Sequence, residues 1–331
     1  MTAFTEISRD PAIATALDHL GVRRPVAGER VKLLFVGQRT YFESSALNHA
    51  TDEIEPRFVD LRDGDGADAV VREIESFSPD VVIVFRPEIV PRGLFHDVDA
   101  LTVGFLTEPL PRATAQDQHP DLKRRLAYLG GIDAGNFDRV ISFDPLVVES
   151  ASEHVEIWRS MPLPVADEFF MPVERWTERP RPVFFGRSTR HREAWLLEAK
   201  HRHDVLHIAH GVFGDELLEL MKKPTVSLNI HNEDYPTFEV RVTLCLAAGH
   251  LVVSEPLSPS HGFEPDIDYV EVIAISNLNQ TLGQVWADPN VFHRLRVTGR
   301  MKAEHFRAST VYPRLISDLY TDVAVRGRGR S

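Results

Sequence analysis

The stretch Thr237–Glu255, TFEVRVTLCLAAGHLVVSE, decides the fold. From Val240 the residues are apolar and Ala-rich over about two turns, the pattern of a helix buried on most sides. Gly249 stops it, because glycine takes the left-handed conformation at a helix end without a Cβ penalty. The run HLVVSE follows at once and reads as a buried strand. Helix, glycine and buried strand in immediate succession are one step of an alternating α/β chain. Arg241 stands in that helix as an isolated cation.

The alternation extends in both directions. After a helix from Asp10 to Leu20, VKLLFVG (Val31–Gly37) reads as a strand, and RFVDL, DVVIVF, LTVGFL and DRVISF continue the series. Helical patterns lie between most of them. Short apolar runs alternating with helices indicate a parallel sheet covered on both faces. This unit fills residues 1–160. Met161–Pro182 holds five prolines and reads as a linker. The strands VFFG, DVLHIAHG and TVSLNIH, then HLVVSE and YVEVIAI, again alternate with helices over residues 183–307. From Pro289 the pattern is helical to about Val323, with a break expected near Pro313. The expectation is two doubly wound α/β domains. Ligands bind beyond the carboxyl ends of the strands in such sheets, and here two such edges are expected to face each other across a cleft.

Composition removes several function classes. The chain has 331 residues, 43% hydrophobic and 26% charged, as in an ordinary globular protein. Its 49 acidic and 37 basic residues give a net charge of −12. That argues against generic nucleic-acid binding, which needs clustered positive charge, but leaves room for an anionic small molecule held by a few Arg side chains. The single cysteine, Cys245, excludes an intramolecular disulfide and a Cys-rich zinc site. No apolar run approaches the roughly 20 residues of a membrane span. No basic start followed by an apolar run opens the chain, so the expected address is cytoplasmic. The nucleophile elbow, the phosphate-binding loop of nucleotide hydrolases, the dinucleotide GxGxxG fingerprint and the zinc-protease helix are all missing.

Two stretches carry candidate chemistry. In FFGRSTRHREAW, Gly186 ends a strand, and Arg187, Ser188, Arg190 and Arg192 follow before or within a helix. Glycine lets backbone N–H groups approach an anion, a helix start adds positive potential, and Arg supplies forked donors. The plain alternative is a turn glycine before a solvated basic helix start. In SLNIHNEDYPTFEVR, Asn229, His231 and Asn232 lie at a strand end, and Pro236 suits the first turn of a helix. That places Arg241 slightly more than one turn inside, reaching the cleft or paired with Glu239. Glu108 lies just past a strand's carboxyl end, where a carboxylate can act as a general base; His96 and Glu88 are weaker candidates. His201, His203, His207 and His210 straddle a helix end and a strand and need not share a face. Asp266 and Asp268 form a short, common pair. No metal site is expected.

The second domain resembles the nucleotide-binding half of GT-B glycosyltransferases, closest to the CgeB-like group with its "glycosyl transferases group 1" type C-terminal domain. The resemblance rests on FFGRSTRHR, on SLNIHNEDYPTFE, on RVTLCLAAGHLVVSE, and on GFEPDIDYVEV and the closing helices, from about Val183 to Leu319. It implies two Rossmann-like domains in GT-B architecture, with helix 308–325 packing back on the first. It also implies a sugar transferase of hexosyl type that uses a nucleotide-diphosphate sugar and needs neither cofactor nor bound metal. In that reading Gly186, Arg187, Ser188, Arg192 and Arg241 neutralise the leaving diphosphate. His231, Asn232 and Glu239 lie against the donor, and Glu108 activates an acceptor hydroxyl on a protein, glycan or small molecule. The chain departs from the pattern at two places. Leu244 stands where the family has the Glu that holds the donor ribose, and Pro236 stands where many retaining relatives carry an earlier Glu. Two alternatives stay open: a nucleotide-sugar epimerase on the same fold, and a non-catalytic relative that binds a nucleotide sugar or a protein.

Overall fold

The computed structural model describes residues 4, 10–24, 28–112, 120–233 and 235–329. They form two compact units: one runs up to Pro164 and resumes at Ala308, and the other is Val165–Arg307.

The first unit is built on six parallel strands, β1 (Val31–Gly37), β2 (Ile54–Asp60), β3 (Val81–Phe85), β4 (Leu101–Leu106), β5 (Arg139–Ser142) and β6 (Arg159–Ser160). Their order is β2-β1-β3-β4-β5-β6. Every residue of β3 and β4 is buried, which is why these runs are apolar without alternation. Its helices are α1 (Pro11–His19), α2 (Arg39–Phe42), α3 (Ala67–Phe77), α4 (Pro120–Leu129), α5 (Val148–Ser152) and, after the excursion into the second unit, a last helix at Ala308–Arg326. Asp10 caps α1, its carboxylate accepting from the Ala12 N–H at 2.9 Å. The last helix packs against α1.

The second unit has five parallel strands, β7 (Arg181–Phe185), β8 (Leu206–Ile208), β9 (Thr225–Asn229), β10 (Leu251–Ser254) and β11 (Val270–Glu271), in the order β11-β10-β9-β7-β8. From β7 the chain goes first to one side, to β8, and then to the other, to β9. The reversal opens a crevice at the carboxyl ends of β7 and β9, where open α/β sheets receive ligands. The helices here are α6 (Arg190–His203), α7 (Gly214–Met221), α8 (Val240–Ala247), α9 (Ile275–Ala287) and α10 (His293–Ala303), and the last helix of the chain becomes α11. α8 is buried along most of its length. Gly249 follows it with φ +72°, as the helix–strand junction in the sequence requires. Among the described residues no helix is long and apolar enough to cross a membrane.

The structure corrects four readings. Of the proline-rich segment expected as a linker, Val165, Ala166 and Phe169 are buried in the second unit's core. The strand expected over YVEVIAI shrinks to Val270–Glu271, because it is the edge of the sheet and Ile273 already faces solvent. Pro313 does not break a helix but lies inside α11. The break comes earlier, where Arg307 turns extended and the Val165 N–H bonds the Phe306 carbonyl at 2.8 Å. Finally α8 starts at Val240 rather than Pro236, so Arg241 occupies its first turn.

Candidate functional site

The crevice of the second unit is shaped by Gly186. Its N–H bonds the Ile208 carbonyl at 2.8 Å, and its own carbonyl accepts from His207 Nε2 at 2.8 Å. Its φ is +146°, and a Cβ there would lie 3.1 Å from Arg192 Nη1 and 3.3 Å from Phe184 Cζ. Only glycine lets the chain leave β7 this close to the Arg192 guanidinium. Thr189 then caps α6: its hydroxyl accepts from the Arg192 N–H at 3.3 Å and donates to the Asn232 carbonyl at 2.7 Å. That one side chain ties the loop after β7 to the loop after β9.

Arg192 is 3% exposed. Its guanidinium donates to the Ile230 carbonyl at 3.0 Å, the Arg187 carbonyl at 3.1 Å and Glu239 Oε1 at 2.9 Å. Arg241 donates to Asn229 Oδ1 at 2.8 Å, Glu239 Oε2 at 2.6 Å and the Ile230 carbonyl at 3.0 Å. Glu239 therefore bridges two guanidiniums, one on each oxygen. Both sit over the Phe184 ring, at 5.2 and 5.4 Å from its centroid. Burial and the neighbouring Arg241 lower Arg192 to about 10, which leaves it charged at neutral pH. Burial alone would raise the Glu239 carboxyl, but Arg241 and Arg192 outweigh it and hold it below the usual carboxylate range. The core of the cluster carries one net positive charge. At its rim Arg187 is exposed and donates to Asn232 Oδ1 at 3.2 Å.

The structure thus brings Gly186, Arg187, Arg192, Asn232, Glu239 and Arg241 into one network. Of the two readings of Arg241, the structure shows the pairing with Glu239. Ser188 turns outward and bonds Glu193. His231 is buried. Its ring Nε2 donates to the Pro256 carbonyl at 2.8 Å, and burial lowers its pKa against the opposing pull of Glu255. Leu244 is buried in the apolar core of the unit, so no carboxylate occupies that place.

Sequence reasoning passed over Glu255 and His191. Glu255, the residue after β10, is 5% exposed. It accepts from the His231 N–H at 2.7 Å and lies 2.9 Å from His191 Nε2 in the first turn of α6. A charged residue ending an otherwise apolar strand was the available signal. Among the described residues no group of three or more His, Cys, Asp and Glu side chains is placed to hold a metal ion. His207 is taken up by the Gly186 carbonyl. Asp268 is taken up by Lys302 at 2.8 Å and by the Glu264 N–H at 2.8 Å.

Glu108 belongs to the first unit. It lies beyond the carboxyl end of β4, 3.6 Å from Arg86 Nε and 3.5 Å from Arg125 Nε. It lines a pocket of about 140 Å³ with Arg86, Glu88, Arg124, Arg125 and Tyr128. Glu88, its side chain 7% exposed, bonds Arg86 at 2.9 Å. Burial pushes the Glu88 carboxyl up against the opposing pull of Arg86. Arg86 holds φ +65°, a left-handed conformation that costs a side-chain-bearing residue about 1–2 kcal/mol. His96 is elsewhere, 3.0 Å from Asp133.

No protein-family profile matches the chain, and no curated protein does. Solved structures do. HepE of Anabaena in complex with UDP-glucose superposes with a TM-score of 0.57 at 11% identity, covering 88% of this chain and all of that one. Sucrose-phosphate synthase of Thermosynechococcus elongatus gives 0.56 at 12%, covering 89% and 100%. A glycosyltransferase of Rickettsia africae gives 0.52 at 9%, covering 90% and 99%. At these identities the likeness is one of fold. Two parallel α/β sheets, of six and five strands along one chain, make this protein similar in fold to the GT-B glycosyltransferases.

Proposed function

We propose that the protein is a glycosyltransferase that moves a sugar from a nucleotide-diphosphate donor to an acceptor hydroxyl. The observation that carries the reading is the cluster at the carboxyl edge of β7 and β9. There the Gly186–Thr189 loop, the start of α6 and the Arg192–Glu239–Arg241 triad share one crevice. The leading N–H groups of a helix have no partners within it and favour an anion. Arg187 at the rim presents charge, while Arg192 and Arg241 hold the loops and supply fixed positive potential. Such preorganised charge stabilises a departing diphosphate as its negative charge develops. The likeness in fold to HepE, solved with UDP-glucose, supports a nucleotide sugar as the donor.

In this reading the transferase is of hexosyl type and works without metal or cofactor, since guanidiniums and a helix start take the diphosphate charge. The motif resemblance supports the CgeB-like, group 1 type subtype, and the expected place of action is the cytoplasm. Glu108 is the acceptor base, with Glu88 beside it as a buried carboxyl held by the same Arg86. A second reading, a relative that binds a nucleotide sugar without turnover, draws on Leu244 and Pro236, which leave both family carboxylate positions empty.

The test is thermal stability against a panel of nucleoside diphosphates and nucleotide sugars, in EDTA and then with Mg²⁺. A ligand that binds the folded state raises its melting temperature. The expected result is a rise with one nucleotide class in EDTA, lost in Arg187→Ala, whose exposed side chain leaves the fold intact. Product analysis without acceptor then tests the epimerase alternative, since an epimerase converts the free donor and a transferase hardly does. No rise with any nucleotide at millimolar concentration refutes the proposal.

A further inference from the structure

The opposite edge of the second unit's sheet carries a separate basic pocket. About 460 Å³ in volume, it opens at the amino ends of β9 and β10 and is lined by Arg175, Trp176, Lys222, Lys223 and Arg296, among others. Arg296 is its most unusual element. It is 4% exposed. Its guanidinium lies 3.7 Å from the Trp176 ring centroid and donates to the Gly249 carbonyl at 2.8 Å and the Glu174 carbonyl at 3.0 Å. Among the described residues no carboxylate pairs with Arg296, Arg175 or Lys223; Lys222 is paired with Glu219 at 2.6 Å. Buried charges are normally paired, because an isolated one is costly to desolvate. Burial alone lowers Arg296 to about 10, which still leaves it protonated.

Among the described residues four cations line this pocket, one of them, Lys222, paired with Glu219, against one lining carboxylate, that of Glu174, in a chain whose net charge is −12. The lining also includes the apolar residues Met171, Pro172, Trp176 and Pro224. Asn290 fixes Trp176 by bonding its backbone on both sides, at 2.9 Å each. We propose that this pocket is an anion site for a small phosphomonoester, its dianionic phosphate held by Arg296, Arg175 and Lys223 and its organic part laid against Trp176. A dianion fits the surplus of cations better than a carboxylate does, and the volume exceeds that of phosphate alone. The site is at the other end of the strands from the Gly186 crevice. It does not depend on the proposed transferase activity.

The probe is glucose 6-phosphate, titrated calorimetrically into the full chain, with glucose and with sodium sulfate at matched ionic strength as controls. One saturable site is expected for glucose 6-phosphate and none for glucose. Lys223→Glu and Arg175→Glu, both at exposed positions, should each weaken binding at least tenfold while melting like the wild type. Arg187→Ala should bind glucose 6-phosphate within twofold of wild type, and Lys223→Glu should keep any nucleotide binding. The proposal is overturned by a lack of saturable binding or by an equal response to sulfate. It is also overturned if binding is lost in Arg187→Ala, or in Arg124→Glu of the first unit's pocket, but kept in Lys223→Glu.

Discussion

Replacing Glu239 by Gln isolates the interaction on which the candidate site rests. The carboxylate contacts Arg192 at 2.9 Å and Arg241 at 2.6 Å. At an effective dielectric of about 20, each contact corresponds to about 4 kcal/mol of Coulomb attraction at a charge separation of roughly 4 Å. Removing one member of a buried pair typically costs about 3–5 kcal/mol. The Glu239 side chain is 26% exposed, so water offsets part of the loss and about 2–3 kcal/mol is expected. The amide would still accept from one guanidinium but would aim N–H donors at the other, and two cations would then repel with no negative charge between them. Three tryptophans, Trp176, Trp195 and Trp286, lie in the second unit, so urea unfolding followed by their fluorescence reports on it. With a slope of about 2 kcal/mol per molar urea, the midpoint should fall by about 1–1.5 M. Glu219→Gln, in the exposed pair with Lys222, should change stability by less than about 0.5 kcal/mol. A midpoint for Glu239→Gln within about 0.2 M of wild type, at an unchanged slope, would mean that backbone carbonyls alone satisfy the two guanidiniums.

Two further expectations follow. Burial lowers His250 to about 4, with both ring nitrogens engaged, by Ser227 at 2.8 Å and the Met221 carbonyl at 2.8 Å. The folded value lies below the unfolded one, so the unfolded chain binds more protons between these values. The stability from neutral His250 is complete above about pH 6.5 and is lost as pH falls toward 4, by about 3 kcal/mol at most. Urea midpoints between pH 7 and 4.5 should show this slope, and His250→Gln should flatten it; an unchanged slope in the variant would remove His250 as the cause. Gly186→Ala would place its methyl 3.1 Å from Arg192 at φ +146°. It should destabilise by about 1–3 kcal/mol and weaken nucleotide binding in the same variant; wild-type melting would show that the loop accommodates a side chain.

The alternation of elements was legible because both sheets are parallel and covered. Their strands had to be short, apolar and flanked by helices, and Val31–Gly37 and Leu101–Leu106 are found at their expected bounds. Gly249 was legible for the same local reason, since a helix that ends against a strand needs a left-handed residue. Pro313 misled because a proline's local penalty was read without its surroundings. Tyr312, Pro313, Leu315 and Ile316 are all buried on α11, and that packing outweighs one lost backbone hydrogen bond. Arg192 and Arg241 were recognisable as residue types for an anion site. That Glu239 neutralises one charge between them was visible only as one alternative for Arg241. The His191–Glu255 contact joins residues 64 positions apart, and no local pattern reports it.

By itself the sequence determined two doubly wound sheets, the glycine-bearing turn after β7 and the basic residues near it, because these follow from hydrophobic periodicity and backbone stereochemistry within a few residues. Only the tertiary structure decided which charges meet. Strand order puts β7 beside β9, and that brings Arg192 from one crossover onto Glu239 and the Ile230 carbonyl of the other. It likewise brings Arg296 from α10 against Trp176 and onto the Gly249 and Glu174 carbonyls. Charge interactions act through space over a few ångströms, whatever the separation along the chain, so chain order alone could not assign them.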